Sequence, residues 1–401
     1  MGQRRIGLWL IGAKGGVAST TIVGLTALKR GLIGSTGLVS QLPLFAHLKL
    51  PAWDEFVIGG HEIRHAPLCH EAMRVATEMR ATSPEVVRQC QEDLDEINRR
   101  IRPGTIRHVG PTIAGLADMD LFAAPSSESP GAIVDRIQGD LQEFARAAKV
   151  EHVVVVNVAS TEPAANATGL PTTWAELEPL LADQDCPLPA SSLYAIAALD
   201  LGCSYVNFTP SLGAAPPALD DLARLRRSRH MGCDGKTGET LLKSVLAPMF
   251  AQRNLQVMSW VGHNIFGNMD GRVLNDPVNK QSKIASKDHL LGEILGYRPQ
   301  THVSIEFIES LGDWKTAWDH VHFSGFLGTP MTFQFIWQGC DSVLAAPLVI
   351  DLVRFTVLAW QRGEVGLMRF LASFFKSPLG VEEHRFDRQF QMLESWAARG
   401  G

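Results

Sequence analysis

The chain has 401 residues, a formal net charge of −5, 45% hydrophobic residues and 20% charged ones. That length is enough to bury a large core and to divide into domains. The weakly acidic balance excludes a general attraction to nucleic acid or to an anionic membrane surface. The six cysteines, Cys69, Cys90, Cys186, Cys203, Cys233 and Cys340, are scattered with no CxxC pair. They fit reduced thiols in a cytoplasm better than a disulfide frame or a zinc knuckle. The apolar run after Arg4-Arg5 is interrupted within ten residues by Lys14 and glycines, which argues against a signal peptide. Val343–Trp360 is long and apolar but carries Asp351 and Arg354, so it reads as a core helix, not a membrane span.

In chain order, Arg5–Ile11 reads as a buried strand, followed by a glycine-rich turn and a helix that stops at Gly31. Strand, glycine turn and helix together suit an anion cradle, because the backbone can approach the ligand and the first helical N–H groups face it. Gly12, Gly15, Gly16, Val17, Ala18 and Ser19 are the candidate cofactor contacts. A tight turn without a ligand is the plain alternative. Phe56–Ile58 reads as a second strand with a turn at Gly59-Gly60, and Glu62 is a candidate acid for a ribose hydroxyl. His47, His61, His65 and His70 crowd the segment without a helical i,i+4 pair and third ligand, so they read as surface or core histidines.

Pro84–Arg102 has the pattern of one amphipathic helix, Asp118–Ala124 of a strand, and Gly131–Lys149 of a helix with Ile133, Ile137, Leu141 and Phe144 on one face. His152–Val158 is a continuous β-branched run of the parallel-sheet kind, ending in Ser160 and Thr161, which are placed to touch a cofactor. Ser191–Gly202 (helix) and Tyr205–Phe208 (strand) continue the alternation. The fold class is therefore α/β, a Rossmann-type doubly wound parallel sheet. From Lys236 the pattern changes. A helix over Lys236–Arg253 is followed by strands over Leu255–Trp260, Thr301–Ile308, Val321–Phe326 and Thr332–Trp337, then by helical segments over Ser342–Gln361, Gly366–Lys376 and His384–Ala397.

The stretch from Cys233 to Lys315 concentrates the chemistry. Asp234-Gly235 and Asp270-Gly271 set acids beside glycine turns, and Lys280, Lys283 and Lys287 recur at helical spacing. Lys283 and Lys287, one turn apart, can serve one ligand. Read alone, they equally suit a solvated basic face.

Two resemblances bear on these residues. KGGVASTT is similar to the phosphate loop of the ParA/MinD ATPases, but Ala18 and Ser19 stand where that loop needs Gly and Lys, which removes its phosphate clamp. A far more extensive match is carried by the blocks AALDLGCSYVNFTP (197–210), GCDGKTGETLLKSVLA (232–247), GNMDG (267–271), SKIASK (282–287), GDWK (312–315) and DSVLAAPLVIDL (341–352). Together and in this order they resemble the myo-inositol-phosphate (inositol-3-phosphate) synthases.

The resemblance implies an NAD-dependent isomerase that converts glucose 6-phosphate into myo-inositol 3-phosphate. The steps are oxidation at C5, enolisation at C6, aldol closure onto C1 and reduction, with NAD regenerated. It also implies inositol and phospholipid biosynthesis, a homotetramer in the cytoplasm, and assistance in some members by a divalent or monovalent cation. Three parts are expected. Residues 1–208 form the first part of the NAD-binding domain, 209–338 an inserted α+β catalytic and oligomerisation domain, and 339–401 C-terminal helices that return to the first.

By carry-over, Lys283, Lys287, Lys315 and Asp234 are catalytic, with the lysines stabilising oxyanions and moving protons. Asn268 and Arg388 bind substrate, Arg388 in place of a fourth lysine, and Asp270 and Asp341 join the cofactor contacts. The acids could equally cap helices or hold turns. Two departures from the family pattern are Gly16 and Val17 in place of two asparagines, and a lengthening around Val261–Ile265. The rival functions are a relative acting on another phosphorylated sugar, which would accumulate NADH, and a non-catalytic NAD-binding scaffold.

Overall fold

In the computed structural model, which describes residues 4–121, 128–165, 169–267 and 290–399, strand β1 (Ile6–Ile11) lies in the middle of a sheet and is buried along its whole length. Its side chains alternate between two cores, Ile6, Leu8 and Leu10 on one face and Trp9 and Ile11 on the other. A strand covered on both faces has no polar side, which is why it reads as an unbroken apolar run. β1 pairs in parallel with β2 (Phe56–Glu62) on one side and β4 (His152–Asn157) on the other. With β3 (Ile101–Pro103), β5 (Ser204–Asn207), β6 (Arg229–Gly232) and β11 (Gly366–Leu367) the order is β11-β6-β5-β4-β1-β2-β3. The chain leaves β1 toward β2 and returns to pair β4 on its other side. This reversal opens a crevice above β1 and β4, where doubly wound sheets bind ligands.

The helices fill the two faces. α1 (Gly16–Lys29) and α2 (Leu68–Thr77) cover one, and α3 (Pro130–Ala148) and α4 (Ala190–Asp200) the other. The long helix α5 (Asp341–Gln361) packs against α1, β4 and β5. It is the one described helix long and apolar enough to cross a membrane, and 78% of its most apolar window is buried inside the protein. Asp351 within it accepts hydrogen bonds from Val39 N and Ser40 N, and the Arg354 guanidinium lies 4.1 Å from the Trp53 ring centroid.

A second, four-stranded sheet has the order β10-β9-β7-β8, with β7 (Gln256–Phe266), β8 (Gln300–Phe307), β9 (Trp314–Ser324) and β10 (Pro330–Cys340). Helix α6 (Gly238–Gln252) covers its inner face through Ala247 and Phe250 against Val257, Trp260 and Val321. The α/β class and both sheets are as expected from the sequence, and α5 and the last helix, α7 (Phe386–Ala398), return to the first core. The division expected at 208/209 falls inside the first sheet, which takes in β6 beyond it and β11 from the C-terminal part.

Several local expectations are corrected. Gly59 and Gly60 form no turn but lie within β2. A Cβ at Gly60 would sit 2.3 Å from Leu10 O and one at Gly59 2.8 Å from the Trp9 ring, so close strand packing requires them. Pro84–Arg102 is not one helix. It breaks at Cys90 into Pro84–Gln89 and Gln91–Asn98, and its end becomes edge strand β3. Where a strand over Asp118–Ala124 is expected, Met119–Leu121 is a 3₁₀ turn and Asp118 Oδ2 accepts from His65 N at 2.6 Å, while 122–124 lie outside the described residues. Gly366 begins a strand, not a helix. Its φ of +80° is outside the helical region, and Met368 N donates to His230 O along β6. β7 runs without a bulge from Ser259 to Ile265, so no irregularity marks the expected lengthening around Val261–Ile265.

Candidate active site

The C-terminal ends of β1, β2, β4 and β5 border a cavity of about 260 Å³. Gly12 follows β1 with φ +78°, and a Cβ there would lie 2.8 Å from Ala159 Cα, so only glycine lets the turn close against the end of β4. Gly15 N donates to Gly12 O at 2.9 Å and delivers the chain into α1. No side chain caps that helix and no acid lies in its first turn. Its free N–H groups and positive dipole end thus suit a pyrophosphate. Gly12, Gly15, Gly16 and Val17 line the cavity, as do Ser160 and Thr161 beyond β4. Ala18 and Ser19 do not: both are buried in the first turn of α1, turned toward the core. These residues fit a dinucleotide, with the backbone as the main contact surface.

Glu62 ends β2 and also lines the cavity. Its Oε2 accepts from Lys14 N and its Oε1 from Ile63 N, both at 2.8 Å, so the acid ties the glycine turn to the neighbouring strand. Across the cavity, Glu162 is buried and accepts from Ser191 N at 2.8 Å and Ser191 Oγ at 2.5 Å. Burial pushes its carboxyl up to about 7 despite those donors.

The opposite wall brings reactive groups in. Asp234, at φ +61°, is fixed by its backbone: its N donates to Thr209 O at 2.9 Å and its O accepts from Lys376 N at 2.7 Å. Its Oδ1 receives the Lys376 ammonium at 2.8 Å. Gly235 next to it lies against the Phe208 ring, where a Cβ would stand 2.1 Å from the nearest ring carbon. Asp341 opens α5 and accepts from Thr237 Oγ1 at 3.5 Å. Asp313 is buried and accepts from Ser342 N at 2.8 Å at the same helix start. Asp234, Asp313, Asp341 and Lys376 all line the cavity with the glycine turn.

The other expected residues divide three ways. Lys315 lies on β9, its ammonium 5.2 Å from the Phe266 ring centroid, on the inner face of the second sheet and off the cavity wall. Arg388 is exposed on α7, off the cavity wall, and donates to Gln391 Oε1 at 3.1 Å, while the helix turns Gln389 inward to take the buried Lys236 ammonium. The cation that does reach the cavity from the C-terminal part is Lys376. It had a signal in the sequence, a single lysine between the buried Phe374-Phe375 and Pro378. Asn268, Asp270, Lys283 and Lys287, with Lys280, lie outside the described residues.

Two more groups escaped the sequence reading. Asp313 was hidden beside Lys315 in GDWK. Asn264 on β7 is fully buried with no described partner for either amide atom, and it pairs with Ala317 two residues from Lys315. The histidines do not converge. His61 sits between Trp9 Nε1 at 2.8 Å and Asp140 Oδ2 at 3.0 Å, His65 meets Asp120, and His47 meets Ala397 O. Among the described residues no group of three or more His, Cys, Asp or Glu could hold a metal ion.

A parallel sheet with a glycine turn at its switch point, faced by a part-buried carboxylate–ammonium pair, defines a dinucleotide-binding α/β protein. The sequence profile described as myo-inositol-1-phosphate synthase matches residues 6–398, and the chain belongs to that family. It is 29% identical over 403 residues to inositol-3-phosphate synthase 1 of Bacteroides thetaiotaomicron, covering 95% of this chain and 91% of the relative. It is 28% identical to a probable inositol 3-phosphate synthase isozyme 3 of Arabidopsis thaliana, covering 87% and 73%. Among solved structures, a myo-inositol-1-phosphate synthase-related protein from Thermotoga maritima superposes with TM-score 0.79 at 26% identity, covering 98% of this chain and 99% of that one. Inositol-3-phosphate synthase from Caenorhabditis elegans, at 23% identity, shares the fold with TM-score 0.86, covering 99% and 86%. The resemblance carried by the sequence blocks is borne out.

Proposed function

We infer that the chain is an NAD-dependent isomerase that converts glucose 6-phosphate into myo-inositol 3-phosphate. The observation that carries this reading is the Asp234–Lys376 pair facing the glycine turn across one cavity. NAD, when bound, supplies reversible oxidation, so the sugar is oxidised and reduced within one turnover. Gly12, Gly15, Gly16 and Val17 would hold its pyrophosphate, and Glu62 its ribose.

The chain's own groups handle charge. Enolisation and aldol closure build negative charge on oxygen, and the substrate brings a phosphate. The Lys376 ammonium is held by Asp234 Oδ1, and the backbone of Asp234 is itself bonded on both sides, so the cation is preorganised and needs no reorientation as charge develops. The same ammonium can give a proton to an oxyanion and recover it. Lys315 presents a second cation from the inner face of the second sheet, and Lys283 and Lys287 are proposed to share this task.

A homotetramer, the cytoplasm and a place in phospholipid synthesis belong to the same proposal. The assembly is supported by the outer face of the second sheet and its edge hairpin, where Ile336 is 70% exposed and Phe326 90%. Apolar side chains on an uncovered sheet and edge favour a partner.

Purified protein incubated with NAD and glucose 6-phosphate tests the activity. Inositol phosphate should form with no net rise in NADH absorbance. Steady NADH accumulation would point instead to an oxidoreductase acting on a phosphorylated sugar, and NAD binding without product to a non-catalytic scaffold.

A further inference from the structure

Lys236 carries a buried charge that the proposed reaction does not use. Asp234, Gly235 and Thr237 line the cavity, but the Lys236 side chain turns away from it and is 3% exposed. Its ammonium donates to Gln389 Oε1 on α7 and lies 5.9 Å from the Phe386 ring centroid. Among the described residues Gln389 is its one hydrogen-bond acceptor. Burial pulls the ammonium down to about 7. The Glu383 carboxylate opposes that shift and the like charge of Lys376 adds to it. A lysine here costs stability, since an unbranched apolar side chain would fill the same space without desolvating a charge.

Its neighbours show what it joins. Residues 232–236 run beside 374–379. Lys236 N donates to Phe374 O at 2.8 Å, Lys376 N to Asp234 O at 2.7 Å, and Leu379 N to Gly232 O at 2.7 Å. The segment that starts at Lys376 then leads into α7, where Gln389 Nε2 donates to Glu383 O at 2.5 Å. Gln389 therefore spans the Lys236 ammonium and the main chain at the far end of that segment. One end of the segment is tied to 232–236 by main chain, the other by the Lys236 side chain. Lys236 also repels the Lys376 ammonium from the buried side, toward Asp234 and the cavity.

We propose that Lys236 is a positioning residue for the reaction: through Gln389 and the segment they anchor, it holds Lys376 against Asp234 at the cavity. The proposal rests on the reading that Lys376 acts on the bound sugar phosphate.

Turnover of the full chain with NAD and glucose 6-phosphate, with calorimetric titration of NAD and thermal melting at pH 7, tests it. Lys236→Met should lower kcat by about tenfold, the worth of one charge-assisted contact, with NAD affinity and KM for glucose 6-phosphate changed by less than about twofold. Its Tm should not fall below that of wild type, because a buried charge has been removed. Made in a Lys376→Met chain, the same substitution should change kcat by less than about twofold, since the residue it acts through is gone. Gln389→Leu breaks the same link from α7 and should lower kcat as Lys236→Met does, a reading that does not depend on the Lys236 variant folding.

The proposal is overturned if Lys236→Met and Gln389→Leu both keep wild-type kcat, if the loss is as large in the Lys376→Met chain, or if NAD affinity and Tm fall together with kcat. The reading beneath it fails differently: Lys376→Met alone would then keep wild-type kcat.

Discussion

The two halves of the cavity wall are built on different physics. The cofactor half, at the ends of β1 and β4, is mostly backbone: a glycine at φ +78°, a closely packed turn and an uncapped helix start. Its tolerance is set by sterics. The reactive half is made of charged side chains drawn out of water in pairs, Asp234 with Lys376 at the cavity and Glu239 with Lys243 at 2.6 Å behind it, where Asp319 lies 3.6 Å from the same ammonium. Its tolerance is set by electrostatics, since a buried charge that loses its partner is left unsolvated. A substitution in the first half should therefore abolish binding, and one in the second should leave binding and remove turnover.

Gly12→Ala is the sharpest test of the backbone half. The added Cβ meets main chain at 2.8 Å in a left-handed turn, so nothing flexible can yield. NAD affinity measured by titration should fall beyond detection while the second sheet's packing survives. Lys376→Met addresses the other half. It should lower kcat by roughly 10²–10³-fold, the usual loss when one preorganised oxyanion donor is removed, with NAD affinity nearly unchanged. An equal loss of NAD affinity would erase the distinction between the halves.

A smaller effect is expected from Glu162, a charge placed in the backbone half. Its folded carboxyl is raised to about 7, above its unfolded value, so the folded state holds the proton more tightly. The stability this lends is fully present below pH of about 4.3 and is lost as pH rises through about 7. Thermal melting of wild type should show a decline in Tm across that window, and Glu162→Gln should flatten it. The smallest effect is predicted for Arg388→Ala. The side chain is exposed and, among the described residues, bonded only to Gln391, so kcat/KM should change by less than about twofold, as for most surface substitutions. A large loss in that variant would return Arg388 to the site.

Legibility in the sequence followed the same division. Strands buried on both faces write continuous apolar runs, so β1 and β4 were readable almost to the residue. The glycine turn was readable because its chemistry is local. Three of the second sheet's strands, β7, β9 and β10, were placed but cut short, whereas β8 was read within one residue. β7 and β9 carry Asn264 and Asp319 on their buried faces, which breaks the alternation by which one-sided strands are recognised. The Pro84–Arg102 segment misled because the break at Cys90 comes from packing and carries no glycine or proline.

The sequence by itself determined the α/β class, the glycine turn and the family, and it singled out Asp234 and Asp341, which line the cavity, since each was read from short blocks of neighbouring residues. Only the tertiary structure decided which cation closes the cavity. Lys376 and Asp234 are 142 positions apart and meet because β6 and β11 share a sheet edge, whereas Arg388 is carried to solvent by the face α7 must bury. Long-range charge pairing is set by how the layers stack, and hydrophobic burial, which dictates that stacking, has no direction along the chain.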